Sequence, residues 1–421
     1  MIRSLARSLP LVALLASVAG AQQLRVPSDQ PQVRAAVERI RADNAWTLDQ
    51  QASICEIPAP PFMESARAAE FRKRLEALGL PARIDSEGNV IAERRGTGSG
   101  PTIMIAGHLD TVFPEGTDVK VTREGTRFSG PGIGDDCRGL AVVLAVARAM
   151  QMEKVATSGT ILFVGNVGEE GAGNLRGVRH LFTKELKGQI DYFISVDGTG
   201  LGITSAGVGS NRYHVTYEGP GGHSYGAFGL VNPIHALGRA IALVSELRVP
   251  TEPRTTFSVG MIEGGTSVNS ISATASMDID MRSEQPAALA ELDGRVRAAI
   301  AKALDAENAR WPNSRAKLTV RIDTIGIRPA GAQPDSAYIV RVAQGAGRVL
   351  GFEAPTGASS TDSNLPISLG IPAITIDGGG RGRGAHSLDE SYDDGDKGWL
   401  GPQWAALVVA SLAGVSATPV P

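Results

Sequence analysis

Hydrophobic and polar positions alternate along this chain in two different grammars. Segments 89–93, 102–106, 160–164, 192–196 and 373–376 are short, apolar or β-branched, and most are bounded by Gly, Pro or Asp. That is the pattern of buried strands. Segments 32–55, 63–78, 140–150, 336–350 and 399–413 instead repeat apolar residues at helical spacing. Strands alternating with helices predict an α/β fold: a mostly parallel sheet covered by helices.

Between residues 207 and 326 the grammar changes. Segment 211–218 alternates polar and apolar residues, 233–247 reads as a helix, and 255–262 and 273–281 read as strands. A long helix over 285–307 and a strand over 317–323 follow. The order β-α-β-β-α-β is that of a ferredoxin-like α+β unit. Its alternating strands suggest one bare sheet face, suited to a lid or a dimer surface. Beyond Pro329 the first grammar returns. A chain of 421 residues exceeds what one core usually supports. The expected organisation is a main domain over 22–206 and 327–421, interrupted by an inserted lid or dimerisation domain over 207–326, with 416–421 a frayed tail.

Residues 1–21 carry an address. Arg3 and Arg7 precede an apolar stretch over 9–18 and a small-residue Ala19-Gly20-Ala21 site, the layout of a secretory signal. A secreted or periplasmic protein is expected, with no membrane anchor, since no Cys follows that site and no other segment is long and apolar enough to span. Formal charge is 41 − 44 = −3 and, without the signal's two arginines, 39 − 44 = −5. That balance gives no electrostatic footprint for nucleic acid. Cys55 and Cys137 lie far apart in sequence and define no framework. Two separate thiols are the expectation.

Candidate chemistry sits where the buried runs stop. The 102–106 run leads to His108 and Asp110, the 160–164 run to Glu169 and Glu170, the 192–196 run to Asp197, and the 373–376 run through glycines to His386. In open α/β sheets the ligand crevice lies outside the carboxyl ends of the strands. Imidazole and carboxylate donors gathered there suit a zinc-type hydrolytic site. Each motif alone has a plainer reading. His-x-Asp could be a hydrogen-bonded surface pair, and Asp135-Asp136 could cap the following helix. Glu169-Glu170, between glycines after a buried strand, resists that reading: one carboxylate can bind metal while its neighbour takes a proton from activated water.

The motifs Gly-His108-Leu-Asp110-Thr-Val, Gly-Ile-Gly-Asp135-Asp136, Gly-Glu169-Glu170-Gly, Ser-Val-Asp197, Gly-Pro-Gly-Gly-His223-Ser and Gly-Ala-His386-Ser-Leu-Asp-Glu390 occur in this order. On these residues the chain resembles the co-catalytic di-zinc peptidases and deacylases that include peptidase T, glutamate carboxypeptidase, carnosinase-type dipeptidases and acetylornithine deacetylase. Asp at 197 and the segment Ser360-Thr-Asp-Ser-Asn364 make it most similar to peptidase T-like members. The resemblance implies a zinc-exopeptidase-like fold and two Zn2+ ions, with Co2+ or Mn2+ as possible substitutes. It implies that Asp135 bridges them, that His108 and Asp197 complete one ion's ligands, and that Glu170 and His386 complete the other's. Glu169 would be the general base and Asp110 the buttress behind His108. His223 would reach the site of a second copy in a homodimer formed through the inserted domain. Asn269 and Arg282 would grip substrate, although His223 could merely satisfy a loop and Arg282 could pair with Asp278 or Asp280.

The function implied is amide hydrolysis of short peptides. The alternatives are a same-fold amidohydrolase acting on N-acyl or N-carbamoyl amino acids, and a silent peptide- or metal-binding protein of the envelope. One departure stands out: the family's Lys after the Asp pair is absent, and Arg138 could supply its charge one place later.

Overall fold

A computed structural model describes residues 25–415. The signal-like segment and the 416–421 tail lie outside the described residues. Nine strands form the main sheet, and its four central strands run parallel in the order Thr160–Asn166, Thr102–His108, Tyr192–Val196, Ala373–Ile376. All four are buried over most of their length, which explains why their sequences are continuously apolar. Antiparallel strands finish both flanks, Val90–Arg94 on one side and Ile203–Gly207 on the other. The sequence-predicted fold class is the one observed: mixed α/β, with helices flanking a central sheet.

The Cys137–Met152 helix shows how sequence sets the packing. Nearly all its residues are buried, as suits a helix apolar all round. Asp136 caps it, the carboxylate accepting from the Gly139 N–H. A Cβ on Gly139 would lie 2.1 Å from the Val196 carbonyl oxygen. Glycine therefore lets the first turn touch the strand end that leads to Asp197.

Residues from Gly209 to Arg328 build a second sheet, with strand order Thr255–Gly264, Thr274–Ser283, Gly209–Glu218, Thr319–Arg328, antiparallel throughout. Helices Pro233–Ser245 and Pro286–Arg310 cover one face, packing Ala236, Leu237, Leu292 and Val296 against Tyr213, Val215, Tyr217, Met277 and Ile279. The opposite face carries the alternate positions: Arg212, His214, Asp278, Asp280 and Arg282.

Periodicity placed the long helices and strands within a few residues and missed several short elements, among them Arg176–His180 and Asn364–Ser368. The 32–55 segment is two helices, Pro31–Ala42 and Asn44–Cys55, broken at Asp43. A small four-stranded sheet, formed by Arg381–Arg383, Ser391–Asp393, Arg127–Ser129 and Thr122–Glu124, has strands too short to leave a periodic signal.

The expectation of two separate thiols is overturned. Cys55 and Cys137 form a disulfide, their Cα atoms 5.4 Å apart. The end of one helix and the start of another meet in the core, a proximity no local pattern reveals. The bridge closes a loop across 82 positions, a length at which a cross-link typically contributes about 2–4 kcal/mol. A Cys55→Ala/Cys137→Ala variant is accordingly expected to melt several degrees lower than the oxidised wild type. Melts with and without reductant check this, and identical melts would show that the bridge adds nothing.

Candidate active site

The carboxyl ends of the four parallel strands open on one cleft of roughly 520 Å³, lined by Asp135, Glu169, Glu170, Asp197 and His386. Its centre is Asp135. One carboxylate oxygen lies 3.0 Å from His108 Nε2 and the other 3.1 Å from His386 Nε2. Glu170 Oε1 is 3.0 Å from the same His386 nitrogen. The sequence positions of these donors span nearly the whole fold, yet they converge within hydrogen-bond reach.

The adjacent aspartates divide the work. Asp136 is fully engaged: its carboxylate accepts from the His108 N–H at 2.8 Å and the Gly139 N–H at 2.9 Å. The capping reading therefore holds for Asp136, while Asp135 faces the histidines. Asp110 stands behind His108, but His108 Nδ1 lies nearer its carbonyl oxygen, at 3.1 Å, than its carboxylate, at 3.6 Å. That carboxylate instead accepts from the N–H groups of Glu169 and Glu170, at 3.0 and 2.8 Å. It thus fixes the loop bearing both glutamates.

Electrostatics favour a cation. Burial opposes a charged His108 ring, but the carboxylates of Asp136, Asp110 and Asp135 outweigh it and hold its pKa well above the usual value. Hydrogen bonds donated by the His386 ring to the carboxylates of Asp135 and Glu170 push its pKa up to about 10. Burial and the charge of Asp135 push Asp197 well above the ordinary carboxylate range. Burial likewise raises Glu169 to about 8, against the pull of Arg328. A part-buried set of two imidazoles and several mutually repelling carboxylates is what divalent cations with nitrogen and oxygen ligands require. His108, Asp135 and Glu170 offer donor atoms close enough to hold one such ion. The residues present fit the group.

Arg328 and Glu390 were not singled out from sequence, nor were the cleft-lining Arg212 and Asp377. Arg328 is buried against Glu169, with Nη1 2.9 Å from Oε1 and 3.1 Å from Ser360 Oγ, and Nη2 on the Glu169 carbonyl. Glu390 is buried, and its carboxylate accepts the N–H groups of Gly132, Gly134 and Asp135 at 2.8–3.0 Å. It ties the loop of His386 to the loop of Asp135. Arg328 ends a strand with an exposed, charged pattern, which hid it; Glu390 stood in the quoted Gly-Ala-His-Ser-Leu-Asp-Glu motif without a role.

The remaining expectations meet mixed outcomes. Arg282 lines the cleft, as does Arg212, and both also bind Asp280, at 2.7 and 3.0 Å. His223 and Asn269 do not line this chain's own cleft. They sit together on an exposed ribbon in which His223 pairs with Ser270, and the Ser224 N–H donates to the Asn269 carbonyl. His223 Nδ1 accepts from the N–H groups of Tyr225 and Gly226, which leaves Nε2 carrying the proton and free to donate. Arg138 sends no charge into the cleft. It is buried, donating to the carbonyls of Gly378 and Gly398 at 2.7 Å each.

A family model described as Peptidase family M20/M25/M40 matches residues 104–398. Carboxypeptidase G2 of Pseudomonas sp. (strain RS-16) is 29% identical over 329 residues, covering 73% of this chain and 72% of its own. Among solved structures, aminopeptidase PepT from Bacillus cereus ATCC 10987 superposes with a TM-score of 0.71 at 20% identity, over 87% of this chain and 98% of its own. The YXEP protein of Bacillus subtilis, described as a dinuclear metal-binding peptidase from the M20 family, superposes with a TM-score of 0.64 at 18% identity, over 89% of this chain and 99% of its own.

Proposed function

Because the chain belongs to the Peptidase family M20/M25/M40, a family of hydrolases, we propose that it is an exported di-zinc metallopeptidase cleaving amide bonds of short peptides. One observation carries the reading: the two oxygens of Asp135 reach two different histidines, at 3.0 and 3.1 Å. In this reading His108 and Asp197 would hold one ion and Glu170 and His386 the other, with Asp135 offering an oxygen to each. When bound, two divalent cations supply Lewis acidity toward the scissile carbonyl and toward an attacking water.

Glu169 takes the proton of the attacking water and returns it to the leaving amine. Its carboxylate is buried at the cleft, next to the donor set and not engaged within it, which is where a base must stand. Arg328 holds Glu169 by one oxygen, and Asp110 holds it through its main chain. The base is thereby prevented from swinging. Arg282 and Arg212, anchored on Asp280, present positive charge at the far wall for a substrate carboxylate.

The proposal extends to assembly and location. His223, its Nε2 proton aimed outward on an exposed ribbon, would complete the site of a second copy and stabilise the developing oxyanion there. Tyr225, Phe228 and Val268, all exposed around that ribbon, supply apolar surface for such a homodimer. The disulfide supports an oxidising compartment, in line with the signal-like start of the sequence. Among the described residues no helix is long and apolar enough to cross a membrane.

A panel of di- and tripeptides set against N-acetyl and N-carbamoyl amino acids, with added zinc, tests the activity. Faster turnover of peptides is the expected outcome. Exclusive turnover of acylated amino acids would replace the peptidase reading with a deacylase one.

A further inference from the structure

The fourth parallel strand delivers a carboxylate that the metal centre does not use. Asp377 follows Ile376, the last residue of Ala373–Ile376, and Ile376 is in register with Val196 of the neighbouring strand. Asp377 and Asp197 therefore leave adjacent strands side by side, about 4.8 Å apart along the sheet. Asp377 lines the same cleft as Glu169, Glu170 and His386.

Its two oxygens differ. Oδ2 accepts from the Gly202 N–H at 2.7 Å. The glycine turn around it is close: a Cβ on Gly200, whose φ is +113°, would lie 2.8 Å from that oxygen. Among the described residues Oδ1 has no hydrogen-bond partner and Asp377 has no cation beside it. The guanidinium groups that line the cleft pair with other carboxylates, Arg212 and Arg282 with Asp280 and Arg328 with Glu169. A part-buried carboxylate with a free oxygen in a substrate cleft selects for a positively charged ligand.

Resting on the amide-hydrolase reading above, we infer that Asp377 receives the protonated α-amino group of the substrate, so that the cleft selects peptides with an unblocked N-terminus. The placement suits that role. Asp377 lines the cleft one strand over from Asp197, beside the donor set, where the amine of an N-terminal residue would fall. Asp377 then acts as a specificity residue, and N-acylated substrates are disfavoured because they bring an amide N–H in place of a cation and add bulk against the Gly198–Gly202 turn. A wholly structural role predicts something else, since Asp377 would then serve only the Gly202 N–H. Asparagine keeps an acceptor for that N–H and removes the charge.

The test uses full-length, zinc-loaded enzyme with Ala-Ala-Ala and N-acetyl-Ala-Ala-Ala. Wild type is expected to favour the free tripeptide in kcat/KM by about 100-fold, the order expected when a buried polar group is left unsatisfied. In Asp377→Asn that preference collapses, through a raised KM for the free peptide with little change on the acetylated one. Asp377→Glu, which keeps the charge, retains most of it. Calorimetric titration with L-alaninamide, which carries the amine and no carboxylate, is expected to show binding to wild type and roughly 100-fold weaker binding to Asp377→Asn. Equal wild-type rates on both tripeptides, or an equal loss on both in the variant, would overturn the assignment. Should wild type cleave neither tripeptide, the peptidase reading fails by itself. The alaninamide titration then decides the role of Asp377 separately, wild-type binding alone supporting it and equal binding refuting it.

Discussion

Glu169→Gln is expected to lower kcat by about 10²–10⁴-fold, the range a positioned general base supplies, while cation content stays that of wild type. The substitution is nearly isosteric, and Glu169 stands beside the donor set without belonging to it. Its carboxylate is held by Arg328 at 2.9 Å, and glutamine can still accept that bond through its carbonyl oxygen. Folding and metal uptake are therefore preserved while the proton acceptor is lost. Steady-state kinetics alongside elemental analysis check both halves. A Glu169→Gln enzyme at wild-type rate would remove Glu169 from the mechanism, and a variant that lost its metal would recast Glu169 as a ligand.

Asp135→Asn should act in the opposite order, on metal first and activity through it. Asparagine keeps the shape but removes the charge and one anionic oxygen from a group whose two oxygens face His108 and His386. Removal even of groups that merely orient ligands lowers metal affinity by 10–100-fold, so loss of a bridging carboxylate is expected to exceed about 100-fold and to abolish measurable turnover. The same change breaks two ion pairs, because His108 and His386 lie against the Asp135 carboxylate and hold its pKa below the usual carboxylate range. The metal-free variant should consequently melt below the metal-free wild type. Zinc should raise the melting temperature of wild type and leave that of Asp135→Asn almost unmoved. Metal titrations followed by differential scanning fluorimetry report on both. Wild-type metal affinity in the variant would rule out a bridge at Asp135.

Much of this was legible in the sequence for a specific physical reason. Strands buried on both faces must be continuously apolar, so the polar residue at which each run ends is conspicuous. His108, Glu169, Glu170 and Asp197 stood out in that way, and the parallel sheet places such ends along a single edge. His386 was visible through its glycine-rich approach from the fourth run. What escaped depended on tertiary proximity. Cys55 and Cys137 meet because two helix ends pack together, and nothing local marks the pair. Arg328 lies at the end of a strand whose other charges are solvent-facing, so its burial against Glu169 could be seen only once the return of the chain was known. Glu390 gathers three backbone N–H groups from a loop more than 250 positions away, a contact with no sequence signature. The adjacent aspartates were ambiguous in sequence because both readings apply, one to each residue: Asp136 caps the helix and Asp135 faces the cleft.

The central claim is that donors from three strand ends and two loops share a pair of cations across Asp135. Anomalous X-ray scattering at the zinc edge, from crystals of zinc-loaded protein, tests it most directly. Two peaks flanking the Asp135 carboxylate are predicted, one beside His108 and Asp197 and the other beside Glu170 and His386. A single peak, or peaks that leave Asp135 without contact, would contradict the account.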